Sequence, residues 1–217
     1  MEAYLDNSAT TWCTEHVRDV VVKTMMEDYG NPSSKHTKGM EAEKYLRESR
    51  EIIAKTLKVN EKEIFFTSGG TESDNWALIG TAMANRRAGK HIITTAIEHA
   101  AVLQPMLYLQ EQGFEVDLVD IDRNGKIDLE HLRELLRRDT ILVSVCLVDS
   151  ELGTIQPVSE IAEILRDYPD CRLHVDATQA MGKIPVCLDG IDTLSFTPHK
   201  FYGLNGSGIL YKKKDLI

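Results

Sequence analysis

Long apolar runs are the first thing the sequence lacks. The longest, such as ILVSVCLV, extend only a handful of residues, far short of the roughly 20 that a membrane-spanning helix needs. No membrane partner is expected. Cysteine is also scarce: Cys13, Cys146, Cys171 and Cys187 form no CxxC pair and no zinc-ligand spacing, which excludes a disulfide scaffold and a thiolate metal centre. Cys146 and Cys187 stand beside apolar residues and are expected to be buried, inert thiols. Positive charge is short too. Lys and Arg number 25 against 34 Asp and Glu, a net charge of −9, so nucleic acid is not an expected partner and any phosphate must be cradled locally. The opening MEAYLDNSATT carries acids where a signal peptide would be basic and then apolar, which points to a cytoplasmic location. Repeats, low-complexity tracts and Pro/Gly/Ser linkers are missing as well, so a single domain over residues 1–217 is expected, with an N-terminal helical segment over about 1–60.

What is present is an ordinary globular balance, 42% hydrophobic and 27% charged residues, compatible with a packed core. Thr14 opens a helical stretch carrying Val17, Val20, Val21 and Met25, closed at Gly30, and a second helix is expected over residues 37 to 57. Beyond it, short β-branched or aromatic runs, among them Ile64–Thr67, His91–Thr95, RLHVD (172–176) and TLSF (193–196), alternate with amphipathic helices, giving about seven strands. Such alternation implies βαβ crossovers, hence an α/β fold with a mostly parallel seven-stranded sheet and helices on both faces. Ligands of open sheets bind beyond the carboxyl ends of the strands. Four strand ends carry unusual polar residues: Ser68-Gly69-Gly70-Thr71, Glu98-His99, Asp176, and Thr197-Pro198-His199-Lys200.

The run TSGGTESDN leads from a strand through two glycines into a helix. The first free N–H groups of that helix, its dipole and the Thr71 hydroxyl suit a phosphate; a plain turn capped by Thr71 or Ser68 fits the same residues. Neither GxxxxGK[ST] nor GxGxxG occurs, so no nucleotide is suggested. Asp176, ending RLHVD, suits a cationic ring nitrogen such as that of pyridoxal phosphate, and equally a helix cap or turn. Gln179 lies within reach of the same ligand. Lys200, just past a strand end, suits a Schiff base or a solvated loop. Asp120, Asp122, Asn124 and Gly125 match the first half of a calcium loop, but His131 stands where the bidentate acid belongs and a strand precedes it. DRNG therefore reads as a turn into a helix capped near Asp128.

The motifs YLDNSATT, YGNPSSKH, FTSGGTESDN, EHAAV, ELGTIQP, HVDATQ and TPHK with Gly203 together resemble the cysteine desulfurases of the class V aminotransferase group, pyridoxal phosphate enzymes of fold type I. The resemblance runs nearly end to end and implies the large, cofactor-binding domain of that fold. It implies that Lys200 forms the Schiff base with pyridoxal 5'-phosphate, that Asp176 pairs with the ring nitrogen, and that Gln179 bonds the phenolic oxygen. His99 would stack on the ring and move protons, and Gly70, Thr71, Thr197 and His199 would hold the phosphate. The implied activity removes sulfur from L-cysteine, giving alanine and a persulfide for a sulfur-acceptor protein in iron–sulfur cluster assembly, within a homodimer.

The family's persulfide cysteine, its carboxylate-binding arginine and a phosphate contact from the partner subunit belong to a segment beyond the equivalent of residue 217, with the small domain. A complementing C-terminal chain is the expected partner. Where the family reads Asn-Asn-Glu, this sequence has Asp149-Ser150-Glu151, placing Ser150 near cofactor and substrate and a negative charge beside it. After the lysine, Gly-Pro-Lys-Gly is replaced by Gly203-Leu204-Asn205-Gly206. A catalytically incomplete relative serving as a binding or scaffold protein, and a related enzyme such as a selenocysteine lyase, are the alternative readings.

Overall fold

A computed structural model describes every residue except Met1, Asp215 and Ile217; those three, at the limits of the expected 1–217 domain, lie outside the described residues. Two helices come first, α1 (Glu15–Met26) and α2 (Thr37–Leu57). The Thr14 side chain caps α1 by accepting from the Val17 N–H, and His36 caps α2. After them follow β1 (Ile64–Thr67), α3 (Gly70–Asn85), β2 (His91–Thr95), α4 (Ala100–Glu111), β3 (Glu115–Val119) and α5 (Leu129–Leu135). The chain continues through β4 (Thr140–Cys146), α6 (Val158–Leu165), β5 (Arg172–Asp176), β6 (Thr193–Phe196) and β7 (Gly208–Lys212). These seven strands form one sheet in the order β1-β7-β6-β5-β4-β2-β3. The pairs β2–β3, β2–β4, β4–β5 and β5–β6 are parallel, whereas β7 runs antiparallel to both β1 and β6.

The sheet is buried on both faces, which explains why its central strands are continuous apolar runs rather than alternating ones. Every residue of β4, TILVSVC, is buried. On one face Leu78 and Ala82 of α3 and Val102, Met106 and Leu109 of α4 close over Ile92 and Leu142. On the other, Leu57 of α2, Leu132 of α5 and Ile161 and Leu165 of α6 cover Ile93, Val143, Val145 and Leu173. The parallel strand order reverses between β2 and β4, so a crevice opens at their carboxyl ends, where ligands of such sheets bind.

Two local expectations are corrected. The N-cap of α3 is Gly69, without a side-chain cap, because Ser68 donates instead through its N–H and Oγ to Glu72 Oε2, at 2.6 and 2.8 Å. Cys187 is exposed rather than buried: its neighbours Val186 and Leu188 turn toward the core and leave residue 187 facing outward. Helix α1 forms as expected but buries none of its residues, so Val22, Met25 and Met26 face solvent. The DRNG segment is a turn in which Asp122 Oδ1 accepts from the Asn124 and Lys126 N–H groups, and Asp128 caps α5.

Backbone closeness at Gly208 fixes the loop between β1 and α3. A Cβ there would lie 2.4 Å from Gly69 C and 2.5 Å from both Gly69 O and Thr67 Oγ1. Gly208→Ala must therefore push β7 away from that loop. A loss of about 2 kcal/mol in urea unfolding is expected, whereas an unchanged midpoint would show that the loop yields freely.

Candidate functional site

At the crevice lies a cavity of about 270 Å³. Gly70, Thr71, His99, Ser150, Asp176, Gln179, Thr197, His199 and Lys200 all line it. They reach it from the carboxyl ends of five strands: α3 begins beyond β1, His99 opens α4 beyond β2, Ser150 follows β4, Asp176 ends β5 with Gln179 just after it, and the lysine turn follows β6. Parallel strands with short connections bring residues more than a hundred positions apart onto one rim.

The start of α3 forms one end of the cavity. Gly69 is extended and unobstructed, and a Cβ on Gly70 would project between Thr178 Oγ1 at 3.5 Å and Thr197 Cγ2 at 3.9 Å. Gly70 and Thr71 line the cavity, and their N–H groups have no acceptor among the described residues, the arrangement that suits an anion. Thr197 is buried, donates to the Ser207 carbonyl at 2.8 Å and lies 2.9 Å from His199 Nδ1. Burial, and then the adjacent Lys200 charge, lowers the pKa of His199.

The floor is acidic and deep. Asp176 is buried, and its Oδ1 accepts the Thr178 N–H at 2.9 Å, yet no ion pair to it occurs among the described residues. Burial first, and then the Asp74 charge, raises its pKa to about 6. Asp74, on the buried face of α3, accepts from the Ser195 hydroxyl and from His174 Nε2, the latter at 3.3 Å. Glu98 lies beneath the switch point. Its Oε1 accepts from the Thr95 hydroxyl at 2.8 Å and the Cys146 N–H at 2.9 Å, tying the ends of β2 and β4, while Oε2 is buried without a partner. Burial pushes this carboxyl up to about 8.

Lys200 closes the opposite side. Burial and then the nearby Lys183 charge lower its pKa against the pull of Asp176 and Asp6. Its turn is held by the N-terminal segment: Thr11 donates through N–H and Oγ1 to the His199 carbonyl, both at 2.8 Å, and accepts the Tyr202 N–H at 2.6 Å. Those bonds hold Tyr202 at φ 69°, a left-handed conformation rare outside glycine. The ammonium of Lys200 and the amide of Gln179 both donate to the Ser8 carbonyl. His99 caps α4, its Nδ1 accepting the Ala101 N–H at 3.1 Å, which places the proton of the neutral ring on Nε2.

Cys146 also lines the cavity, but burial and then the Glu98 charge drive its thiol pKa strongly upward. It is no thiolate near neutral pH. Sequence reasoning noted Glu98 at a strand end without assigning it a role, expected Cys146 to be buried without placing it in the cavity, and overlooked Asp74 and the Ser8–Thr11 strap. Asp74 left one signal, an acid falling on the same helical face as Gly70, Ala77 and Leu78.

The family model for aminotransferase class V matches residues 3–217. A cysteine desulfurase IscS of Dictyoglomus turgidum is 46% identical over 215 residues, 98% of this chain and 54% of the relative. A putative cysteine desulfurase IscS 1 of Bacillus subtilis is 44% identical, over 98% of this chain and 56% of its own. Among solved structures, a NifS-like protein superposes with a TM-score of 0.97 at 43% identity, covering 100% of this chain and 60% of that one. A structure described as SspA in complex with cysteine gives 0.91 at 34% identity, over 98% and 62%. The chain thus spans about half the length of the curated relatives it matches.

Proposed function

The chain belongs to the aminotransferase class V family, and from that premise we propose that it is the cofactor-binding half of a pyridoxal 5'-phosphate-dependent cysteine desulfurase. The observation that carries the reading is Asp176: a buried carboxylate without an ion pair among the described residues, in a cavity that also holds an amine disfavoured as a cation. A buried acid of this kind calls for a cationic partner, and a protonated ring nitrogen meets it. The open N-terminus of α3 offers the separate anion site that the phosphate needs. The residues present fit the cofactor at both ends.

When bound, the cofactor supplies an electrophilic aldehyde and an electron-withdrawing ring that acidifies the α-proton of an amino acid. Asp176 would hold the ring nitrogen protonated, and Gln179 would donate an N–H to the phenolic oxygen. The Gly70 and Thr71 N–H groups, Thr197 and His199 would hold the phosphate, and Lys200 would hold the aldehyde through its amine. As a neutral amine Lys200 Nζ would serve as a base within the cavity, and His99, in the same lining, would hold a proton at Nε2. Ser150, shorter than an asparagine, would face the substrate carboxylate.

Cys146 stays protonated and is not the sulfur-accepting thiolate. L-Cysteine as substrate, a homodimer, a sulfur-acceptor protein and a complementing C-terminal segment belong to this proposal, as does a cytoplasmic setting. Exposed Val22, Met25 and Met26 on α1 support a covering segment. No helix among the described residues is long and apolar enough to cross a membrane. The Asp149-Ser150 pair supports a second, scaffold-type reading. Asp149 Oδ1 is occupied by the Glu151 and Leu152 N–H groups, at 3.0 and 2.6 Å, and serves the loop rather than a ligand.

Equilibrium titration of the purified chain with pyridoxal 5'-phosphate, followed in the visible, tests the reading. A saturable new band is expected, with affinity at least about tenfold weaker in Asp176→Ala. A spectrum identical to free cofactor would overturn the enzyme reading and favour the scaffold.

A further inference from the structure

Beyond the cavity wall, the segment after β5 turns helically and places residues 179 and 183 one turn apart on the same face. Lys183 is solvent-facing and lines no part of the cavity. Its Nζ nevertheless donates to Gln179 Oε1 at 3.0 Å. Gln179 Nε2 in turn donates to the Ser8 carbonyl at 2.8 Å, and Lys200 Nζ donates to the same carbonyl. Two ammonium groups are therefore joined through one amide and one carbonyl.

An amide side chain is ambiguous by shape, since rotation by half a turn exchanges its donor and acceptor ends at almost no steric penalty. Lys183 removes that ambiguity. An ammonium has donors only, so it must face Oε1, which leaves the NH₂ end toward Ser8 and the cavity. We propose that Lys183 is a positioning residue: it holds Gln179 as a hydrogen-bond donor into the cavity and, through the same chain of bonds, biases Lys200 toward its free amine.

The groups around Lys200 set the direction of the effect. Asp176 beneath it and Asp6 of the N-terminal strap favour the ammonium, His199 is its neighbour in the turn, and Lys183 is the opposing cation. With Lys183 neutralised, burial still disfavours the ammonium, but the pull of the two carboxylates is no longer opposed by the Lys183 charge, so Lys200 keeps its proton to higher pH. The same loss would free Gln179 to turn its oxygen toward the cavity, where it would repel an anionic phenolic oxygen. The inference rests on the cofactor reading given above, yet its first consequence concerns the protein's own amine.

Trace acetylation of the cofactor-free protein across a pH series, read by mass spectrometry at Lys200, measures that amine directly. Lys183→Met should raise the Lys200 midpoint by about one pH unit, Lys183→Gln should do the same, and Lys183→Arg should leave it near the wild-type value. In cofactor-loaded protein the pH midpoint of the visible band should move in the same direction. Coincident Lys200 midpoints in wild type and both neutral variants would overturn the role of Lys183, even if the cofactor binds. Failure to bind cofactor with the Lys200 shift intact would overturn the functional reading instead and leave the Lys183–Lys200 coupling standing.

Discussion

Lys200→Ala should abolish the adduct that borohydride traps between the protein and pyridoxal 5'-phosphate, a loss to background rather than a reduction. Lys200 is the lysine that lines the cavity. A Schiff base forms only from a neutral amine, and burial together with the Lys183 charge lowers the Lys200 pKa in the direction that supplies one. Lysines in water stay protonated near neutral pH and compete poorly. Peptide mapping of the reduced protein should place the wild-type label on Lys200 alone, and the variant should carry none. Folding is not at risk: the side chain is only partly buried, and the turn is held by the Thr11 and Tyr202 backbone bonds, which alanine leaves in place. A thermal midpoint within a few degrees of wild type is expected. A stoichiometric label on another residue, Lys183 included, would sink the assignment.

The sheet and the rim were legible because both follow from periodicity and from polar residues at strand ends. The runs Ile64–Thr67, His91–Thr95, Arg172–Asp176 and Thr193–Phe196 coincide with β1, β2, β5 and β6, since β-branched and aromatic residues bounded by turn formers have few other stable states. The cavity lining was legible for the same reason. What lay hidden depends on chain crossing. Nothing near Ser8 or Thr11 in sequence announces that they bridge to His199 and Lys200, nearly two hundred residues away, through backbone carbonyls. Backbone groups carry no residue-type signal. Cys187 was misread because apolar neighbours mark burial only when the alternation of the segment is also taken into account; Val186 and Leu188 face inward and residue 187 outward. The buried acids were hidden more deeply. Glu98 was named beside His99 at a strand end, yet its role was not, because its partners sit on β2 and β4, which become neighbours only after the strand order reverses.

That buried floor should make the cofactor-free protein less stable as pH rises from acid toward mild alkali, opposite to what surface ion pairs give. Glu98 titrates near 4.5 when unfolded and at about 8 when folded, so between those values the native state holds a proton that the unfolded chain has lost. Stability then falls by up to about 1.4 kcal/mol per pH unit from this group; over about two units the loss is roughly 3 kcal/mol, or some 6–12 °C in Tm. Asp176, raised to about 6, adds a slope of the same sign at lower pH. The two can be separated by neutral isosteres. Glu98→Gln should flatten the profile between about pH 6 and 8, where Glu98 acts alone, and leave only the Asp176 share below that, while Asp176→Asn should reduce the slope below about pH 6 and leave that above it unchanged. Glu98→Gln retains the oxygen that receives the Thr95 hydroxyl and the Cys146 N–H, so the strand ends stay tied. Urea midpoints measured across the pH series decide the matter, and a Glu98→Gln profile parallel to wild type would place the titrating proton elsewhere. A cation bound at Asp176 acts in the other direction. It pairs with the ionised carboxylate, so stabilisation by added pyridoxal 5'-phosphate should grow as pH rises through about 6, where Asp176 loses its proton.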